Sequence, residues 1–246
     1  MLLPHGSRAM SRIQQSAVRN RLLQRLSVDD FALLQPHLQL IPTELRQTMI
    51  RPFEPVMQLF FPEVGFISIV ADTAGNRVEV GMIGREGLVG APPVLLESDT
   101  TPYHEFVQCP GEVLGIDTAN FCDAVDQSPT LRKLMLRYVE TTLIQARQTA
   151  YTNAAYTMDV RLARWLLICH DRLDGDEIPI THEFLAVMLG VRRSGATLAV
   201  QTLEGNGLIK ARRGRITVVN REALVELANG SYGLPEAEYA RLIEGV

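Results

Sequence analysis

Apolar residues change their spacing twice along this chain of 246 residues. Over 19–40, RNRLLQRLSVDDFALLQPHLQL, they recur at helical intervals, and the run stops near Pro42. Ser27 with Asp30 three residues on marks the start of a second short helix. Across 58–115 the pattern shifts to short runs rich in Val, Ile and Phe. GFISIVADTAGNRVEVGMIG reads as two strands joined by a turn at Ala74, Gly75 and Asn76. On the second arm Val78, Val80 and Met82 alternate with polar or small residues, the period of a strand. EFVQCPGEVLGI repeats the pattern about a Pro110-Gly111 turn. Short strands punctuated by glycine and proline predict an all-β sandwich or barrel.

After Pro129 the texture becomes helical. Met135, Val139, Leu143, Ala146, Ala150 and Ala154 make one continuous stripe that narrows to small side chains. The helix is longer than the average of about 11–12 residues, and a long helix with a narrow apolar seam often packs on its twin in a dimer; the alternative is an ordinary core helix packed within its own chain. DVRLARWLLICHDRL follows as a further helix with Leu162, Trp165, Leu166 and Cys169 on its apolar face, ended by Asp174-Gly175.

The next segment carries the candidate chemistry. Thr181 is placed to cap a helix, because its hydroxyl can accept from an orphan backbone N–H. Leu185, Met188 and Leu189 face inward, and Gly190 breaks the run with the left-handed conformation of a tight inter-helix turn. A second helix is predicted over 192–204, burying Ala196, Ala199, Val200 and Leu203. Opposite them lie Ser194, Thr197, Leu198 and Gln201, with Arg192 and Arg193 at the N-terminal end. Helix, short glycine turn, helix is the arrangement whose second helix enters the DNA major groove N-terminal end first. Arginine can grip guanine in a bidentate fork, glutamine can pair with adenine, and an apolar side chain can touch a thymine methyl. GLIKARRGRITVV then reads as a hairpin with cations at its tip. Lys210, Arg212, Arg213 and Arg215 can reach phosphates beside the groove, fixing register without reading sequence. Gly195 is an oddity, costing roughly 1 kcal/mol against alanine inside a helix.

Charge sharpens this picture. The chain carries −4 overall, yet 181–221 holds seven lysines and arginines against two glutamates. That local +5 leaves −9 for the rest, so charge alone points either to an anionic partner for this segment or to a solvated basic face. With 46% hydrophobic and 21% charged residues, the composition is that of a folded protein of one large or two modest domains. No apolar run approaches the ~20 residues of a membrane helix, and the opening MLLPHGSRAM has the look of a frayed leader with no secretory h-region. Cys109, Cys122 and Cys169 are few and scattered, as buried free thiols of the cytoplasm would be.

Taken together, ITHEFLAVMLGVRRSGATLAVQTLEGNGLIKARRGRITVVNREAL closely resembles the DNA-binding half of the Crp/Fnr family of bacterial transcription regulators. The likeness runs through the order β-roll, long helix, winged helix. It implies an α+β fold with three parts: a cyclic-nucleotide-binding-like β-roll (a jelly roll) over 19–128, a dimerisation helix over 129–158, and a winged helix-turn-helix over 159–230. It further implies a homodimer joined along Met135, Val139, Leu143, Ala146 and Ala150, and a palindromic double-stranded DNA site. RNA polymerase is admitted as a further partner. By position, Arg192, Arg193 and Ser194 match the family's base-reading turn, and Leu198 stands where some members carry a second polar reader.

The sensory half matches less closely. GMIGREGLVGAPPVLL resembles the family's phosphate-binding cassette, with Gly84, Arg85, Glu86 and Gly87 as the candidate effector contacts. That cassette ordinarily has an arginine about ten residues later, but 86–131 contains no lysine or arginine at all. A buried phosphate without a cation is costly, which argues against a cyclic nucleotide; Arg85 is expected to form a structural ion pair. An iron–sulfur cluster needs four thiolates and the chain has three. A haem would need one of the isolated histidines His5, His37, His104, His170 or His182. No His-Glu-x-x-His, phosphate loop or nucleophile elbow argues for an enzyme. The effector is left unidentified. The leading expectation is a sequence-specific DNA-binding regulator; the alternative is a sensor that signals through protein contact.

Overall fold

The computed structural model describes residues 13–73 and 76–245. The leader with His5, and Ala74 and Gly75 of the expected turn, lie outside the described residues. The first elements are the short helices α1 (Arg21–Arg25) and α2 (Val28–Leu34). Asn20 caps α1 by accepting from the Leu22 and Leu23 amides, and Ser27 caps α2 by accepting from Asp30 N. Asn20 also donates to the carbonyls of Pro62 and Gly87, so one buried amide ties α1 to the sheet. The helical run gives way to a strand before Pro42, because β1 (Gln39–Pro42) already pairs along the sheet.

Four further strands complete the antiparallel sheet: β2 (Thr48–Ile50), β3 (Gln58–Thr73), β4 (Asn76–Ile83) and β5 (His104–Asp117). Their order is β1-β5-β3-β4, with β2 also on β5. Pro110-Gly111 is not a turn between two strands, as the sequence suggested, but a bend inside the single strand β5. A side chain on Gly111 would stand 2.2 Å from the Val64 carbonyl oxygen, and one on Gly65 would stand 2.2 Å from that of Cys109. Two glycines facing each other let β3 and β5 bend together without separating. The short helix α3 (Ala91–Leu95) and α4 (Thr118–Gln127) then close the roll, and the long helix α5 (Pro129–Ala155) runs away from it.

The sheet is buried on both faces. Leu59, Phe61, Ile67, Ile83, Val107 and Val113 point into the roll against α4 and the start of α5. Phe66, Val70, Met82, Phe106 and Cys109 join a second core with α6 (Met158–His170) and α7 (His182–Leu189). This explains why apolar residues in FISIV fall on both faces of β3, broken by the buried Ser68. The C-terminal module adds α8 (Arg193–Gly205), the strands β6 (Glu177–Ile178), β7 (Ile209–Arg212) and β8 (Arg215–Val218) in the order β6-β8-β7, and α9 (Arg221–Ala228). Beyond it, α10 (Leu234–Tyr239) and a π-helical turn (Ala240–Glu244) fold back onto α5 and α1. The Arg21 guanidinium stacks on the Tyr239 ring at 4.7 Å and its Nε donates to Glu244 at 2.8 Å. No described helix is long and apolar enough to cross a membrane.

Candidate nucleic-acid interface and sensor cavity

Thr181 caps α7, its hydroxyl accepting from Phe184 N at 3.2 Å. Gly190 ends the helix at φ 62°, and a side chain there would meet Val78 of β4 at 3.0 Å. The turn therefore needs glycine twice, for its backbone and for its seat against the sheet. Leu189, just before it, is held through its carbonyl by Arg161. Arg192 is the N-cap of α8, and Ala196, Ala199, Val200 and Leu203 are buried beneath it. The opposite face is open: Arg192, Arg193, Ser194 and Gln201 are exposed, and Leu198 is 65% exposed. Thr197 is half-buried and sits 3.3 Å from the ring of His182.

The hairpin of β7 and β8 turns at Arg213-Gly214, with Gly214 at φ 78°. Lys210, Arg212, Arg213 and Arg215 are all exposed. Arg215 lies 3.7 Å from Glu177, but Arg192, Arg193, Lys210 and Arg213 have no acidic partner among the described residues. Glu204 accepts from Ala211 N, joining α8 to the hairpin. One module thus presents a free guanidinium pair, a polar helix face and a cationic hairpin tip to solvent.

The four cassette residues are already engaged within the chain. Arg85 donates to Asp174 at 3.0 Å. Glu86 accepts from Gly84 N and from Arg172, a guanidinium reaching in from the end of α6 with 6% of its side chain exposed. A side chain on Gly84 would strike Arg172, and one on Gly87 would stand 2.5 Å from the Tyr138 hydroxyl. The loop is packed shut where a phosphate would lie.

Beside it a cavity of about 580 Å³ opens between the roll, α5 and the C-terminal fold-back. Its wall is largely apolar, with Ile69, Val80, Met82, Pro93 and Leu143. Glu105 of β5 lines it, 4% exposed, and its carboxylate accepts from Gly90 N at 3.3 Å, its one donor among the described residues. Burial raises that carboxyl to about 7. A second buried carboxylate, Glu79, lies at the seam between the roll and α6. It accepts from Ser68 Oγ at 2.5 Å and Trp165 Nε1 at 2.7 Å, and burial lifts it to about 7 against these bonds. Neither glutamate was singled out by sequence reasoning. Each occupies a strand position whose neighbours alternate, where a charged residue reads as solvent-facing.

The expected seam of α5 divides. Met135 is buried against the roll and Val139 is buried within the chain, whereas Leu143, Ala146 and Ala150 are exposed. Leu136, 41% exposed, stands seven residues before Leu143, which stands seven before Ala150. The open stripe is therefore one residue out of step with the expected one at its start, because the roll claims Met135.

Comparison with known proteins agrees with this architecture. Residues 160–227 match the family described as the Crp-like helix-turn-helix domain. The chain is 24% identical over 185 residues to the global nitrogen regulator of Nostoc sp. (strain PCC 7120), covering 71% of this chain and 82% of that protein. It is 25% identical over 187 residues to the global nitrogen regulator of Synechocystis sp. (strain PCC 6803), covering 72% and 83%. In fold it is similar to FixK2 from Bradyrhizobium japonicum, with a TM-score of 0.66 at 15% identity over 77% of this chain and 96% of that one. A CRP-family transcriptional regulator from Thermus thermophilus gives a TM-score of 0.64 at 18% identity, over 77% and 97%.

Proposed function

We propose that this chain is a Crp/Fnr-type transcription regulator, a homodimer that reads a two-fold DNA site and answers an effector held by its roll. The observation that carries it is the open face of α8. Arg192, Arg193, Ser194, Leu198 and Gln201 are exposed, and the two arginines have no acidic partner among the described residues, while the opposite face is packed. Arg193 at the first turn supplies the bidentate fork that discriminates a base. Lys210, Arg212 and Arg213 at the hairpin supply phosphate contacts that set register. The open stripe of Leu136, Leu143, Ala146 and Ala150, at heptad spacing, supports pairing of two α5 helices. Two recognition helices must then lie about 34 Å apart to enter successive major grooves.

An effector in the cavity would touch the roll, α5 and the fold-back at once, and so bias how the two modules are set. The protein would act in the cytoplasm at promoters, where contact with RNA polymerase belongs to the same reading. Signalling through protein contact alone is not favoured, since the exposed face is built from groups suited to phosphates and base edges. The test is binding to duplexes selected from a random pool, followed by a salt titration. Affinity should fall steeply, with a slope of about −0.9 per phosphate neutralised. A protein that ignores every duplex at low ionic strength would sink the reading.

A further inference from the structure

The charges around the cavity say what kind of molecule it accepts. Two arginines line it, Arg21 and Arg172, against four acids, Glu86, Glu105, Asp171 and Glu236. Both arginines are committed, Arg21 to Glu244 and Arg172 to Glu86. Asp171 is committed to Arg221 and Tyr232, and Glu236 accepts from the Gly233 amide. The acid least engaged is Glu105, which accepts a long 3.3 Å bond from the Gly90 amide and has no cation beside its buried carboxylate among the described residues. Tyr239, 6% exposed, also lines the cavity, and its buried hydroxyl has no hydrogen-bond partner among the described residues. A buried carboxylate facing an apolar chamber is stabilised most by a donor, and most of all by a charged one. An anion entering the same chamber would find no free guanidinium and would face Glu105 directly.

We propose that the cavity binds an apolar molecule bearing a hydrogen-bond-donating head, of which an ammonium is the best, with Glu105 as its partner and Tyr239 beside it. This rests on the reading that the roll holds the effector, and it makes that effector neutral or cationic instead of a phosphate or carboxylate. Ile69, Val80, Met82 and Leu143 receive the apolar body. Because Tyr239 belongs to the C-terminal fold-back, which Arg21 pins to α1, the bound molecule would bridge the sensor and the segment leaving the DNA-binding module.

The test uses three probes of one shape and different heads: phenylbutylamine, phenylbutanol and phenylbutanoate. Each is titrated calorimetrically into the full chain at about pH 8, above the raised value of Glu105. The amine should bind at least about tenfold tighter than the carboxylate, with the alcohol between them. Glu105→Gln should remove the amine's advantage. Val80→Phe, which leaves the carboxylate in place and fills the chamber, should weaken all three. Carboxylate binding as tight as the amine's, failure of all three probes, or an amine preference that survives Glu105→Gln would each overturn the proposal. Duplex binding without any probe is measured in parallel. Its loss strikes the DNA-reading assignment and leaves the cavity chemistry standing; amine binding with unchanged duplex affinity keeps the ligand class and overturns the effector role.

Discussion

Gly195 is a position where the fold itself does not require a glycine. It lies inside α8, where glycine costs roughly 0.5–1 kcal/mol against alanine, yet a side chain added there would meet nothing within 4 Å. No packing or backbone demand of the chain accounts for it. A close phosphate or sugar would. Gly195→Ala is therefore expected to raise the melting temperature while lowering duplex affinity several-fold. Affinity unchanged alongside the stability gain would mean the glycine is only tolerated. Arg193 and Arg213 make a complementary pair of tests. Arg193→Ala should cost about 1–3 kcal/mol on the preferred site and relax one base position, whereas Arg213→Ala should weaken all sequences alike and lessen the salt slope by about one. Equal losses across sequences for both variants would remove Arg193 from the reading surface.

Elements with an explicit start or stop were legible in advance. Ser27 and Thr181 cap the helices they were expected to cap, and Gly190 takes the left-handed turn. The face of α8 follows from four small or apolar residues at helical spacing. The strands were harder, because β3 and β5 bend at Gly65 and Gly111 without ending, and a glycine that permits a bend looks like one that makes a turn. The two residues of β6 are too few to carry any period. On α5 the sequence shows one stripe, and only the packed roll reveals that its first part is spent inside the chain. The open part predicts that Leu136→Asp, at a position 41% exposed, leaves the fold intact and yields monomers by light scattering. A dimer that persists in that variant, at unchanged thermal stability, would move the interface off this face of α5.

For the molecule as a whole, the sheet's outer face and the DNA-binding module share one core, and Glu79 sits inside that joint with Trp165. Its carboxyl is raised from 4.5 to about 7. Between those values the folded chain holds a proton that the unfolded chain has lost, so this group makes unfolding easier as pH rises through the window. Below about 4.5 both states are protonated and the contribution is flat; above about 7 both are ionised and the full cost of the buried charge is felt. Glu105 acts in the same direction over the same window. His104, pushed down by burial and by Arg77, acts in the opposite one, so the melting curve of the parent chain alone does not isolate the joint. The difference between parent and Glu79→Gln does. An amide keeps an acceptor for Trp165 and carries no charge at any pH, so the variant should gain on the parent steadily from about pH 5 to about pH 8. Trp165 emission should titrate near pH 7 in the parent and stay level in the variant, because the indole N–H donates to the group that changes charge. A stability difference that ignores pH, with emission that titrates equally in both proteins, would place the proton elsewhere and leave the joint between the roll and the C-terminal module without its ionisable group.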